Sequence, residues 1–152
     1  MFRCESSIIA VYDGKSPLFG TNKIGKAFSW KTTLKNAEIR EISGREGYYI
    51  DRIKVKAADG TEEESSPNFG GKGGERYKWT VPDGEYIAKI KYKQGNWLDS
   101  VVFITNKGTK SPRFGGKGGE GPFEYVLPQG ARLNGIYGHQ DQYIRGLGFY
   151  YH

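Results

Sequence analysis

Two short segments hold the residues best suited to chemistry. One reads Gly47-Tyr48-Tyr49-Ile50-Asp51, the other Gly95-Asn96-Trp97-Leu98-Asp99. Each opens with a glycine, continues through an aromatic, and places a carboxylate four residues after the glycine. A tight turn leaves several backbone amides unpaired and facing outward. A carboxylate beside them accepts hydrogen bonds from two hydroxyl groups at once. An aromatic ring covers the apolar face of a ligand ring. Amides, a carboxylate and an aromatic wall are what an uncharged polyol needs. The plainer alternative is a hairpin whose Asp caps its own turn. Its occurrence twice, at matching positions, weighs against that alternative.

A second pair of segments is rich in glycine: Phe69-Gly70-Gly71-Lys72-Gly73-Gly74-Glu75 and Phe114-Gly115-Gly116-Lys117-Gly118-Gly119-Glu120. Neither supplies the Gly-x4-Gly-Lys-Ser/Thr of a phosphate loop. Gly116, Gly118 and Gly121 fit the spacing of a dinucleotide fingerprint, but no helix is predicted after them to aim its N-terminus at a pyrophosphate. Two readings remain. The segments are tight strand-to-strand connections, or loops whose bare amides approach a small polar ligand closely.

The elements that must position these groups repeat along the chain. Ser66-Pro67-Asn68-Phe69 recurs as Ser111-Pro112-Arg113-Phe114, with a weaker copy at Ser16-Pro17-Leu18-Phe19. The turn segments keep the same order and spacing, with a third copy at Asp141-Gln142-Tyr143-Ile144-Arg145. Two independent signatures with a common period of about 45–50 residues imply three structural units. Their bounds are about 16–65, 66–110 and 111–152, within a single domain over 1–152 that begins with a strand at 7–12. Inside a unit the pattern is β. Ala88 to Lys93 and Ile53 to Lys56 alternate apolar and basic side chains, as half-buried strands do. Val101 to Thr105 reads as a strand covered on both faces. Pro82-Asp83-Gly84, Pro128-Gln129-Gly130 and Lys107-Gly108 mark turns. Thr33 to Ile42 has helix-like composition, yet its counterparts carry Pro82 and Pro128, so it too is assigned to β.

Composition narrows the function. Hydrophobic residues are 36% and glycine is 23 of 152, but aromatics reach 14%, too many for a disordered chain. The net charge of +6 permits anionic partners without requiring them. One cysteine, Cys4, and two histidines, His139 and His152, exclude an intrachain disulfide, a Cys-rich zinc site and a His cluster. No apolar run is long enough to span a membrane, so no membrane insertion is expected. Residues 1–12 lack the form of a signal peptide, which predicts a cytoplasmic protein, or a secreted one written after removal of its leader.

The Gly-x-x-x-Asp turns, the Gly-Gly-x-Gly-Gly loops and the Thr105-Asn106-Lys107-Gly108 turn together resemble the jacalin-related lectins, most closely their uncleaved, mannose-type members. The resemblance runs from about Ile8 to Tyr151. It implies an all-β fold, the β-prism I: three four-stranded Greek-key sheets with pseudo-threefold symmetry. It implies metal-independent binding of mannose- or glucose-type sugars, with no cofactor and no catalysis, and glycoprotein glycans as partners. Carried over, it implies two sites. In the first, Asp51 accepts from two sugar hydroxyls, the amides of Tyr48 and Tyr49 after Gly47 donate, and Gly70 and Gly71 close the other side. In the second, Asp99 takes that role with the amides of Asn96 and Trp97 after Gly95, and with Gly115 and Gly116. Tyr49 and Trp97 are expected to flank the sugars.

The third turn departs from the pattern. Glycine has become Asp141 and aspartate has become Arg145, while the loop from Gly20 to Gly25 has lost its double glycines. Both halves of one site are altered together, which predicts its loss or change. The competing reading is a basic module for an anionic polymer or mineral surface, resting on the net charge and on Lys89, Lys91 and Lys93. An enzyme ranks third: Asp51 and Asp99 resemble a glycosidase pair in type, but separate sheets would keep them apart. Nucleic acid is not an expected partner. A homodimer is expected, with Cys4 and the N-terminal strand as candidate contacts.

Overall fold

The computed structural model describes residues 13–152. The candidate dimer contacts at Cys4 and residues 7–12 lie outside that range. The described residues form fourteen strands in three antiparallel sheets and no helix. The first sheet takes β1 (Gly14–Lys15), β2 (Phe19–Gly20) and β3 (Lys26–Lys31) from one end of the chain. From the other end it takes β13 (Leu133–Gln140) and β14 (Ile144–Tyr151). The second contains β4 (Glu38–Glu46), β5 (Ile50–Ala58), β6 (Glu63–Ser65), β7 (Phe69–Gly70) and β8 (Glu75–Thr80). The third contains β9 (Ile87–Gln94), β10 (Leu98–Thr105), β11 (Phe114–Gly115) and β12 (Glu120–Val126).

Each sheet has four strand positions in Greek-key order. In the second, β4 and β5 form the central hairpin, β6 and β7 share one edge, and the chain then crosses to put β8 beside β4. The shared edge is broken in all three sheets, and the break falls at the repeated Ser-Pro. Proline has no N–H to give the ladder. The serine before it compensates with its side chain. Ser111 Oγ accepts the N–H of Phe103 at 2.9 Å and donates to the carbonyl of Pro112 at 2.8 Å. Ser66 does the same for Val55, and Ser16 for Phe149. All three serines are buried. Ser111→Ala is therefore expected to leave a buried amide unpaired and to lower stability by about 1–3 kcal/mol, readable as a shift of the urea midpoint without a change of slope.

The sheets are cut from the chain out of phase with the sequence repeat. The repeat that begins at Ser66 gives β7 and β8 to the second sheet, then β9 and β10 to the third. Most strand readings agree with the structure: 53–56 lies in β5, 88–93 in β9, and 101–105 in the nearly fully buried β10. Thr33 to Ile42 is β only from Glu38. Residues 33–37 form a turn in which Ala37 N–H donates to the Leu34 carbonyl, and Glu64 Oε1 and Oε2 pin the Thr32 and Thr33 hydroxyls. A tertiary hydrogen-bonding partner for both threonines overrides their strand preference.

The core lies where the three inner faces meet. Phe103 of the third sheet, fully buried, packs edge-on to Phe149 of the first at 5.6 Å and parallel to Trp79 of the second at 6.1 Å. Around this centre the sheets interlock cyclically. Phe19 of the first stacks on Tyr92 of the third, Phe69 of the second on Phe28 of the first, and Phe114 of the third on Tyr77 of the second, all at 4.2–4.4 Å. The glycine after each phenylalanine repeats the pattern by hydrogen bonding. Gly20 N–H donates to Gln94 Oε1, Gly70 to Gln140 Oε1 and Gly115 to Glu46 Oε1, at 2.6–2.8 Å. Every glycine-rich loop is thereby set against a hairpin turn of its neighbour.

Candidate functional site

Three hairpin turns meet at one end of the prism. They join β4 to β5, β9 to β10 and β13 to β14, and each shows the same register shift before its three-residue loop. Each closes with the same short bond: Gly47 N–H to the Tyr49 carbonyl, Gly95 to Trp97 and Asp141 to Tyr143, at 2.9–3.0 Å. The aromatics that end the three loops, Tyr49, Trp97 and Tyr143, gather together. The Tyr49 ring lies 5.5 Å from that of Trp97 and 5.3 Å from that of Tyr143, both edge-on.

Asp51 and Asp99 sit just behind their turns and are 5% and 6% exposed. Neither has an ion pair within 4 Å among the described residues, so each is a nearly buried carboxylate with spare acceptor capacity. Gly95 N–H donates to Asp99 Oδ2 at 2.9 Å. Burial pushes both carboxyl groups above their ordinary value of 3.8. Arg45 opposes the shift at Asp51; the Gly95 amide and Lys93 oppose it at Asp99.

The glycine loops leave these carboxylates uncovered. A Cβ on Gly118 would stand 3.0 Å from Asp99 Oδ1, and one on Gly73 3.0 Å from Asp51 Oδ2. Gly119 and Gly74, both with φ near +80°, come closer still. Any side chain there would occupy the space in front of the carboxylate. The first Gly-Gly pair of each loop has another task. Gly70 and Gly115 pack on the backbone of Asp51–Arg52 and Asp99–Ser100, and the amides of Gly71 and Gly116 donate to the carbonyls of Asp51 and Asp99 at 2.7 and 3.0 Å. Gly73, Gly74, Gly118 and Gly119, which face the carboxylates, were missed in the sequence reading. Their signal was present as the second Gly-Gly of each loop.

A cavity of about 630 Å³ opens over Asp99, within the size range of small-molecule sites. It is lined by Gly115, Gly116 and Gly118 on one side and by Gly47, Tyr48 and Tyr49 on the other. The wall opposite the loop thus comes from the turn of the second sheet. Gly116 abuts the Tyr48 backbone, and the Tyr48 ring stands 88% exposed at the lip. By the same cyclic relation Gly71 abuts the backbone of Gln142, so the third turn forms the far wall at Asp51. Asn96 and Trp97 do not line this cavity, and the Trp97 ring lies 4.4 Å from the Arg145 guanidinium. Tyr48 and Tyr49 therefore share a cavity with Asp99, while Trp97 faces the third turn.

That third turn is closed by its own side chains. Arg145 Nε donates to Asp141 Oδ1 at 2.9 Å, and the guanidinium is held between the rings of Trp97 and Tyr143. Burial pushes the Asp141 carboxyl up, but the bonds from Arg145 and the Tyr143 amide outweigh it and hold it below its ordinary value. A guanidinium has donors only and cannot accept a hydroxyl proton.

Comparison with known proteins places this geometry. A family model described as the jacalin-like lectin domain matches residues 16–150. A mannose-binding jacalin-related lectin from Ananas comosus superposes with a TM-score of 0.77 at 23% identity, covering 93% of this chain and 98% of that one. The Calystegia sepium agglutinin gives 0.76 at 21%, covering 94% and 98%. Frutalin from Artocarpus incisa gives 0.76 at 20%, covering 96% and 99%. These likenesses show a shared fold. A Schizosaccharomyces pombe protein that carries a provisional zinc metalloproteinase name is 29% identical over 104 residues, and the match spans 16% of its length. Among the described residues no three His, Cys, Asp or Glu side chains come together as metal ligands would.

Proposed function

The chain belongs to the jacalin-like lectin domain family, and on that footing we propose that it is a metal-independent carbohydrate-binding lectin for mannose- or glucose-type glycans, with two sites per chain. The observation that carries the reading is Asp99: a buried carboxylate with free acceptor capacity, opening on a cavity walled by bare glycine backbone on one side and by the Tyr48 turn on the other. Two sugar hydroxyls donate to its oxygens. Backbone amides of the turn donate to the sugar oxygens, and Tyr48 covers the ring from the lip. Asp51 acts likewise, with Gly73 and Gly74 in front of it and the third turn as its far wall. The likeness to a mannose-binding relative supports the sugar class. Two sites on one rigid end favour branched glycans, which gain avidity without a new contact.

The test is a calorimetric titration with methyl mannoside, with and without EDTA. Unchanged affinity is expected, since every proposed contact comes from a side chain or the backbone. A large loss on chelation would mean the chemistry is wrong.

Acid should release the sugar. A protonated carboxyl loses one of the acceptor positions the hydroxyls use, so binding is full at neutral pH and falls as the pH drops through the carboxyl pKa. Burial raises that pKa, so release should begin at a higher pH than for a carboxylate titrating at 3.8. Stability runs the other way. These groups are raised in the folded state, so their burial cost is present at neutral pH and is relieved as they protonate. Sugar affinity measured from neutral pH to about pH 4 checks the sign; affinity that rises on acidification would contradict it.

A further inference from the structure

Beside the Asp99 cavity, on the outer face of the third sheet, lies a second cleft of about 330 Å³. Four cations line it, Lys91, Lys93, Lys110 and Arg113, together with Ser100 and Ser111, and no carboxylate does. Arg113 lines both this cleft and the Asp99 cavity, so the two adjoin at its side chain. Lys93 Nζ donates to the Lys117 carbonyl at 3.0 Å, which holds its charge at the boundary. Lys91 lies 4.0 Å from Glu124, an exposed pair of little strength. Lys110 and Arg113 have no carboxylate within 4 Å among the described residues. Converging like charges repel unless an anion sits between them.

The arrangement recurs where the carboxylate recurs. The matching face of the second sheet, beside Asp51, has a cleft lined by Arg45, Arg52, Lys54, Arg76 and Lys78. Arg52 Nε and Arg45 Nη1 donate to the carbonyls of Gly71 and Gly74, tying that cleft to the glycine loop. On the first sheet the shared turn register brings Tyr137, His139, Gly146 and Gly148 to the positions of Lys91, Lys93, Ser100 and Val102. Those four positions carry no lysine or arginine, Lys15, the counterpart of Lys110, is engaged over the Tyr137 ring at 5.0 Å, and Arg145 has replaced the carboxylate. None of the four cations is ion-paired with Asp99; Lys93 acts on it only through space, opposing part of the upward shift that burial imposes.

We propose that the Asp99 site takes glycans bearing an anionic ester, sulfate or phosphate, with the sugar at Asp99 and the ester among Lys91, Lys93, Lys110 and Arg113. The proposal rests on the reading of Asp99 as the sugar-binding carboxylate. A sulfate or phosphate ester presents several acceptor oxygens, which the donor-only ammonium and guanidinium groups complement, the guanidinium in a two-pronged fork.

The test is calorimetry on the full chain with three oligomannosides that differ only in carrying no ester, one sulfate or one phosphate. At low salt an ester should improve affinity by about tenfold or more, shrinking to about twofold near 0.5 M NaCl as screening takes hold. Whichever ester shows the gain identifies the ligand. With the second site removed by Asp51→Ala, adding Lys91→Ala/Lys110→Ala should abolish the gain while the neutral oligomannoside binds as it does to Asp51→Ala alone. Equal binding of all three sugars to the unaltered protein, or a gain that survives in this variant, overturns the proposal. Asp99→Ala separates the two readings. Neutral binding that weakens in this variant, with no gain from either ester, defeats the ester proposal alone. Ester binding indifferent to Asp99→Ala, with no neutral binding at all, defeats both.

Discussion

Asp99→Ala and Asp51→Ala should each remove one sugar site per chain and leave the fold intact, and the double variant should bind no monosaccharide. Each carboxylate is proposed to accept from two hydroxyls. A hydrogen bond to a charged group contributes about 1.5–3 kcal/mol, so losing the pair weakens a site by at least roughly a hundredfold. Little in the unliganded protein depends on either group. Burial already disfavours both charges, and the one hydrogen bond to Asp99, from Gly95 N–H, is replaceable by water at the open cavity. Calorimetric stoichiometry is the measurement. It should fall from two sites per chain to one in each single variant. Two sites surviving in either would refute the assignment.

Phe103→Ala should produce the largest loss of stability. The ring is fully buried and touches aromatics of all three sheets: Phe114 of its own, Phe149 of the first and Trp79 of the second. No neighbour can move inward without breaking a sheet-to-sheet contact, so the cavity would persist. Truncation of a buried phenylalanine costs about 3–5 kcal/mol, against a total stability of about 5–15 kcal/mol for a domain of this size. Chemical denaturation should show a midpoint lowered by about a fifth or more, a fraction set by those same magnitudes. A midpoint shift no larger than that of Ser111→Ala would show that the axis is not the centre of the core.

The contrast between these two sites also explains what was legible in the sequence. Alternation in β9, the apolar run of β10 and the repeated Ser-Pro-x-Phe are local patterns, and a local pattern survives in one dimension. The Gly-x-x-x-Asp turns were legible for the same reason: glycine, amides and carboxylate all lie within five consecutive residues. The cyclic interlock was not. Nothing in the neighbourhood of Gly115 indicates that its amide will meet Glu46, or that Tyr48 will wall the cavity of Asp99 rather than its own aspartate. Those contacts follow from how three sheets close around an axis. The same closure places Arg113 between two cavities, a position its sequence context, between Pro112 and Phe114, does not reveal. Residues 33–37 were misread for a smaller reason: Glu64 anchors Thr32 and Thr33 from thirty residues away.

The most direct test of the central claim is a crystal structure of the protein soaked in mannose. The account predicts sugar at the Asp51 and Asp99 turns, with hydroxyls on the carboxylate oxygens and Gly73–Gly74 or Gly118–Gly119 against the ring, and nothing beside Arg145. Mannose bound at Arg145, with the other two turns empty, would contradict both the choice of site residues and the role given to the buried carboxylates.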